Sequence, residues 1–584
     1  MPSTPANVQG ASFRSNGTHR VDPANPNKLS GSYSETALGI TNTITWSLQR
    51  CGGELQITDL KFEDMKYPNW NDWQEVDQYK GTTDGNFVKI TAKVLNTSPE
   101  TKYAELSFKE TFKGDKWDGA KPDMPLKTDF VSFKVDAGEE REIEFVWDSS
   151  GYAWYEDGRP RYVQRIKAEI WKENKLVDSM TKNLKVAPKP VVLVHGLWDN
   201  WRRFEVWQNI FTFMHSYDWK AFPVGEKPEH GVMDMGEFGS PKPGKTLTEN
   251  AAALKSYISY AQQNRNAWHV DILAHSTGGL VARNYVSQLM PEPSQDGRPQ
   301  VSHLLLLGTP NTGSTCADMM YIVTGNQPLY YATRMFAVEF NRVNSTRKGV
   351  RFSALAGNPM PFMCNAVTPN DTFVSVASAH WTIKDTAVTP YTHEELTGDK
   401  GLAHFVNDRP TKGIPIFMDF VKPRLAIGPR GDHNPDFSDL LDKKSGQNYQ
   451  PGNDMFSLKA SRGPNALDED LFENSSGNAL LEVNFTKSVK LSPKETIEIE
   501  IPVEQALIFG LTFMANAQTS ATLFNDKGEV VGKNLTKTRE ANAWFRSIFY
   551  DKPTTKATWR LKLENTSDKE FEAILATWNE ALRR

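Results

Sequence analysis

The sequence predicts an α/β protein whose mostly parallel central sheet is flanked by N- and C-terminal β-sandwich domains. Three observations predict it. The runs Val191-Val192-Leu193-Val194 and Leu304-Leu305-Leu306-Leu307 are wholly apolar, as strands buried on both faces of a parallel sheet must be. Helical stretches alternate with them: residues 247–263, opened by Thr246 and closed near Asn264-Arg265-Asn266, and residues 278–289, stopped by Pro291. On either side the texture changes to short runs of period two, at 87–94, 142–147 and 166–171 before this region and at 496–501 and 559–563 after it.

These changes of texture divide the chain. Residues 1–50, rich in Ser, Thr, Asn, Gly and Pro, read as an irregular N-terminal segment. Residues 51–187 read as a β-sandwich; Val94-Leu95-Asn96-Thr97-Ser98 with Asp136-Ala137-Gly138-Glu139 resembles bacterial immunoglobulin-like adhesion modules at the level of fold. The α/β region runs from Pro188 to about residue 429 and carries an apolar insertion near 313–350. A linker at 430–454 precedes a second β-sandwich at 455–584.

Composition excludes some functions. The 584 residues carry a formal charge of −4 without the clustered Lys and Arg of a nucleic-acid binder. No apolar run approaches the roughly 20 residues a helix needs to cross a bilayer. The polar opening Met1-Pro2-Ser3-Thr4-Pro5 shows no signal peptide; a secreted or cell-surface location is favoured, and a cytoplasmic one stays open. The three cysteines, Cys51, Cys316 and Cys364, have no metal-site spacing. They leave open either a Cys316–Cys364 bridge or three free thiols. Sixteen Trp, 17 Tyr and 31 Phe suit β-sandwich cores, and leave room for transient contact with a lipid surface or polymer.

The chemistry concentrates at Val270-Asp271-Ile272-Leu273-Ala274-His275-Ser276-Thr277-Gly278-Gly279. A serine hydroxyl becomes a nucleophile only when its geometry and a nearby base activate it. A sharp strand-to-helix turn exposes the hydroxyl above a sheet and demands small neighbours, which Ala274 and Gly278 supply. A second strand ends in Val194-His195-Gly196-Leu197-Trp198. Its loop and the serine turn nominate the main-chain N–H groups of Leu197 and Thr277 as donors to an oxyanion; His195 is expected to hold its loop rather than serve as the base, a role that stays open to it.

These residues resemble the α/β-hydrolase superfamily, and within it bacterial lipases and esterases with an A-H-S-x-G-G nucleophile turn. Leu306-Leu307-Gly308-Thr309-Pro310-Asn311-Thr312-Gly313-Ser314 is similar to the strand and loop that follow that turn. The resemblance covers residues 188–427. It implies chain order nucleophile, acid, histidine, hence Ser276 as nucleophile. Asn370-Asp371-Thr372-Phe373-Val374 resembles the family's acid segment, with Thr372 where Gly is usual, so Asp371 is the implied acid and Asp385 the next candidate. His393, 22 positions after Asp371, is the expected base and His404 the alternative. His380 lies too close to the acid. Trp198, Trp201 and Phe204 are expected at the substrate pocket, beneath either a mobile cap or a fixed helix pair at 313–350.

The implied function is hydrolysis of carboxylic esters, lipids included, through an acyl-enzyme, with no metal or cofactor. The same fold leaves open an acyltransferase or a polyester depolymerase. A catalytically inactive binding or adhesion protein is the reading from another class.

Overall fold

A computed structural model describes residues 20–22, 25–37, 40–49, 53–111, 123–126, 130–155, 158–161, 163–213, 218–238, 242–292, 298–359, 369–397, 404–406, 409–412, 415–428, 481–516, 518–534, 544–550 and 552–581. They fall into two compact units, each discontinuous in sequence. The first comprises residues 1–62, 89–147 and 165–183, the second residues 63–88, 148–164 and 184–584.

In the first unit, strands Val131–Val135, Lys102–Glu110, Gln164–Lys172 and Lys175–Leu184 lie side by side in that order. Glu140–Asp148, Phe87–Asn96 and Leu55–Met65 form a second set. Residues 87–96 alternate as their apolar pattern requires, burying Val88, Ile90, Ala92 and Val94. The segment expected to be irregular, 1–50, contains instead an antiparallel sheet of Arg20–Asp22, Asn25–Ala37 and Ile40–Gln49. The run Ile40-Thr41-Asn42-Thr43-Ile44-Thr45-Trp46 is rich in β-branched residues, and strand propensity there outweighs a loop-like composition.

The second unit holds a six-stranded parallel sheet. Its strands are β1 (Val191–Val194), β2 (Ala221–Pro223), β3 (Val270–His275), β4 (Val301–Leu307), β5 (Arg351–Gly357) and β6 (Asp385–Thr389), in the spatial order β2-β1-β3-β4-β5-β6. Every residue of β1 and β3 is buried, which explains their unbroken apolar character. Alternate residues Val192, Val194, Ile272, Ala274, Leu304, Leu306, Phe352 and Ala354 share one apolar cluster with Leu254, Tyr257, Ile258, Leu280 and Val281. Each of the Val, Ile, Leu and Phe side chains among them contributes about 1.5–3 kcal/mol by leaving water.

Those partners come from two helices. Helix α1 (Leu247–Arg265) starts at a capping box, in which Thr246 and Glu249 exchange hydrogen bonds. It stops where Asn266 turns left-handed at φ 48°, a conformation Asn tolerates. Helix α2 (Gly278–Asn284) follows the serine turn and continues as a π-turn over Tyr285–Leu289. The insertion after β4 forms α3 (Thr315–Thr324), α4 (Gln327–Tyr330) and α5 (Arg334–Val343). Each is capped by a side chain, Ser314, Asn326 and Thr333 in turn. Short helix α6 (Val376–His380) precedes β6. Cys316 on α3 is disulfide-bonded, which removes the reading of three free thiols; Cys364 lies outside the described residues. Among the described residues no helix is long and apolar enough to cross a membrane.

At the C-terminal end two four-stranded antiparallel sheets begin at Leu481. One has the order Leu481–Leu491, Phe571–Ala581, Ala506–Ala515, Trp544–Tyr550; the other Thr496–Val503, Ala557–Asn565, Thr519–Phe524, Val530–Asn534. The expected linker at 430–454 lies outside the described residues, as do residues 455–480.

One buried charge sits at the start of β3. Burial raises the Asp271 carboxyl to about 6, against the opposing pull of Lys189. A carboxyl whose folded value exceeds its unfolded one binds its proton more tightly in the folded state. Stability is therefore present below about pH 4 and is lost as pH rises toward 6. Asp271→Asn should raise the free energy of unfolding in urea at pH 8 by an amount on the order of 2 kcal/mol, and leave it nearly unchanged at pH 4. Equal effects at both pH values would contradict the assignment.

Candidate active site

In a parallel sheet every strand ends on the same edge, so the loops after β1, β3, β5 and β6 converge there. Ser276 follows β3 directly and adopts φ 54°, left-handed for a residue with a side chain. Such a conformation costs about 1–2 kcal/mol and persists only where surroundings impose it. Here the Ser276 N–H donates to the Leu307 carbonyl at 2.9 Å, and its own carbonyl accepts from Gly279 at 3.0 Å. The β1 loop presses close: a Cβ on Gly196 would stand 2.6 Å from Ser276 Cβ and 3.2 Å from Oγ. A Cβ on Gly278 would overlap the carbonyls of His195 and Val194. The small residues around the serine are thus demanded by the close approach of two loops.

Asp371 follows β5 in a tight turn. Its Oδ1 accepts the main-chain N–H groups of Phe373 and Val374, at 3.0 and 2.6 Å. Thr372, where the sequence pattern expects Gly, sits at φ 92°. A β-branched residue is strained there, and the Asn370 side chain, which accepts the Thr372 N–H at 2.9 Å, helps to hold it.

His393 follows β6. Its Nδ1 lies 2.7 Å from Asp371 Oδ2, and its Nε2 lies 2.9 Å from Ser276 Oγ. An ionised carboxylate only accepts, so Nδ1 carries the hydrogen and Nε2 is left to accept from the serine hydroxyl. Ser276, His393 and Asp371 are 3%, 1% and 0% exposed, so the hydrogen-bonded chain runs through a region from which water is largely excluded. Phe373 meets the imidazole edge-on at 5.3 Å.

The remaining candidates are placed as follows. Trp198 and Ser276 spend their N–H groups on Met235 and Leu307. Among the described residues, the N–H groups of Leu197 and Thr277 donate to no protein acceptor. Trp198, itself at φ 52°, is fully buried in an apolar cluster with Leu197, Met320 and Phe373, and its ring meets Phe238 at 4.9 Å. Trp201 stands half-buried beside Gly225 and Phe204 is fully buried; no described contact brings either to Ser276. His404 begins a two-stranded ribbon with Arg409–Lys412, and its side chain lies outside the described residues. Asp385 is excluded by position. It starts β6 at the opposite edge of the sheet, where Arg424 holds it through two bonds of 2.7 and 2.6 Å. His195 is buried with Nδ1 3.2 Å from the Gly196 carbonyl, and burial pushes it below the ordinary histidine value.

Sequence reasoning missed two further glycines. Gly308, at φ 56°, ends β4; a Cβ there would lie 2.7 Å from Asp371 Oδ2 and 3.1 Å from His393 Nδ1. At Gly357 a Cβ would stand 2.6 Å from Asp371 Cβ. Gly308 belongs to the segment Leu307-Gly308-Thr309-Pro310, so its presence was legible but its target was not.

The fold and site define a parallel α/β protein with a buried Ser-His-Asp hydrogen-bond chain on the C-terminal edge of its sheet. Residues 244–324 match a domain of unknown function (DUF7379). No curated protein matches. Among solved structures, a Bacillus licheniformis lipase in its propeptide form is similar at 16% identity and TM-score 0.38, over 68% of this chain and 75% of that one. Phospholipase PlaB from Legionella pneumophila is similar at 17% and 0.25, over 33% and 46%. EstA from Clostridium botulinum is similar at 13% and 0.24, over 36% and 83%. Likeness at this level fixes no residue's role.

Gly308→Ala should destabilise the protein by about 2–4 kcal/mol, from a left-handed φ combined with overpacking, measured by urea unfolding. Thr372→Gly should be neutral or stabilising by up to about 1 kcal/mol. A neutral Gly308→Ala would show that the acid turn does not require this close approach.

Proposed function

We propose that this chain is a serine hydrolase of the α/β-hydrolase type that cleaves carboxylic esters through an acyl-enzyme. One observation carries the reading: the unbroken chain from Ser276 Oγ to His393 Nε2 at 2.9 Å and from His393 Nδ1 to Asp371 at 2.7 Å.

His393 Nε2 takes the proton as Ser276 Oγ adds to the ester carbonyl carbon. Asp371 holds the Nδ1–H and stabilises the imidazolium that forms. The carbonyl oxygen gains charge, and the N–H groups of Leu197 and Thr277, which have no acceptor among the described residues, donate to it. The tetrahedral adduct collapses, the imidazolium gives its proton to the departing alkoxide, and the acyl group stays on Ser276. Water, deprotonated by the same Nε2, attacks the acyl-enzyme, releases the acid and restores the serine. No metal or cofactor enters these steps.

The surroundings favour apolar acyl groups. Leu197, Trp198, Met320, Leu329, Phe373 and Val374 belong to one apolar cluster beside the base. Helices α3 and α5 carry exposed apolar residues, Ile322 at 83% and Met335 at 63%, which suit contact with a lipid surface. Acylglycerols and other apolar esters are therefore the substrates we assign.

A fluorophosphonate probe should label the native protein at Ser276, and Ser276→Ala should abolish labelling. On a p-nitrophenyl ester panel, Ser276→Ala and His393→Ala should each lose at least about 10⁴-fold in kcat, whereas His404→Ala should stay within about threefold of the parent. Labelling of Ser276→Ala, or activity kept by His393→Ala and lost by His404→Ala, would overturn the reading.

A further inference from the structure

The site contains a second buried histidine that the hydrolytic steps do not use. His275 immediately precedes the serine, and its ring centroid lies 4.8 Å from that of His393. Its Nε2 stands 2.9 Å from the main-chain carbonyl oxygen of His393. A carbonyl only accepts, so this nitrogen carries the hydrogen. The N–H of the same His393 donates to the Asp371 carbonyl at 2.5 Å. Both main-chain polar groups of the base are therefore tied, one to the acid turn and one to the serine strand.

The next residue is held as well. Glu394 receives the Arg203 guanidinium at 2.9 Å, and Arg203 also pairs with Asp199, just beyond the β1 loop. All three are buried, so the histidine loop is bonded to the loop that carries Leu197. Burial, with His393, Arg203 and His195 nearby, holds His275 well below the ordinary histidine range, so it is neutral when it donates.

We propose that His275 is a positioning residue for the base. Its Nε2–H fixes the His393 main chain against the serine strand and thereby sets the line along which the His393 imidazole meets Ser276 Oγ. The proposal rests on the hydrolase reading of Ser276 and goes beyond it. Misplacement of a reacting group by about 1 Å costs on the order of 10²-fold in rate, so one main-chain hydrogen bond can matter this much.

Two substitutions separate positioning from packing. His275→Phe keeps an aromatic ring and loses the donor; His275→Gln loses the ring and keeps an N–H of similar reach. On a p-nitrophenyl ester, His275→Phe should lower kcat about 10- to 100-fold with KM within about twofold, and fluorophosphonate labelling of Ser276 should slow in parallel. His275→Gln should recover kcat to within about fivefold of the parent. A folded His275→Phe with parental kcat, or a Gln variant as impaired as the Phe variant, overturns the proposal. If His275→Phe does not fold, ¹⁵N-histidine NMR of the parent decides: a neutral Nε2–H tautomer at His275 is expected, and an Nδ1–H or doubly protonated ring overturns it. A parent protein that is neither labelled at Ser276 nor active on any ester is a separate outcome, under which the hydrolase reading fails and the positioning role falls with it.

Discussion

The site depends on one backbone constraint, the left-handed conformation of Ser276 at the end of β3. The parallel register of β1, β3 and β4 imposes it. Leu307 on β4 takes the serine N–H, and the β1 loop closes so tightly that Gly196 and Gly278 have no room for a Cβ. The strain, about 1–2 kcal/mol, is small against a sheet whose central strands bury nearly every residue. Its effect is to lift one hydroxyl out of the strand and, among the described residues, leave the adjacent N–H groups of Leu197 and Thr277 without a protein acceptor.

The opposite edge of the same sheet supplies an internal comparison. There His303 Nε2 lies 2.7 Å from Ser353 Oγ, and Ser353 bonds to Asp385. The residue types are again serine, histidine and acid. Yet Ser353 lies in a regular strand and is fully buried, His303 Nδ1 is 3.2 Å from the Arg424 carbonyl, and Arg424 clamps Asp385. This cluster is a satisfied structural network. The residue types alone therefore do not make a site; the left-handed turn that takes Ser276 out of its strand is what Ser353 lacks.

Much of the site was readable because its requirements are local. The small residues around Ser276, the strand before it and the helix after it all lie within one stretch of chain. The turn that holds Asp371 was legible from Asn370-Asp371, and Thr372 marked a position that needs positive φ. His393 and His404 stayed open in sequence, because both follow the acid at the distance of a strand and a loop. What distinguishes His393 is the closing of β6 and its loop onto Gly308 and Asp371, a tertiary event. The same holds for the Arg203–Glu394 pair, which joins residues 191 positions apart. The segments 63–88 and 148–164, which group with the α/β region, carry no compositional mark that separates them from their neighbours. The three-stranded sheet before residue 50 was masked by a loop-like composition.

A crystal structure of the protein inactivated by an alkyl fluorophosphonate tests the geometry of Ser276 and its neighbours directly. Phosphorus should be bonded to Ser276 Oγ, with the phosphoryl oxygen accepting the N–H groups of Leu197 and Thr277 and His393 Nε2 facing the serine oxygen. Phosphorus on another residue, or a phosphoryl oxygen turned away from both N–H groups, would contradict that geometry.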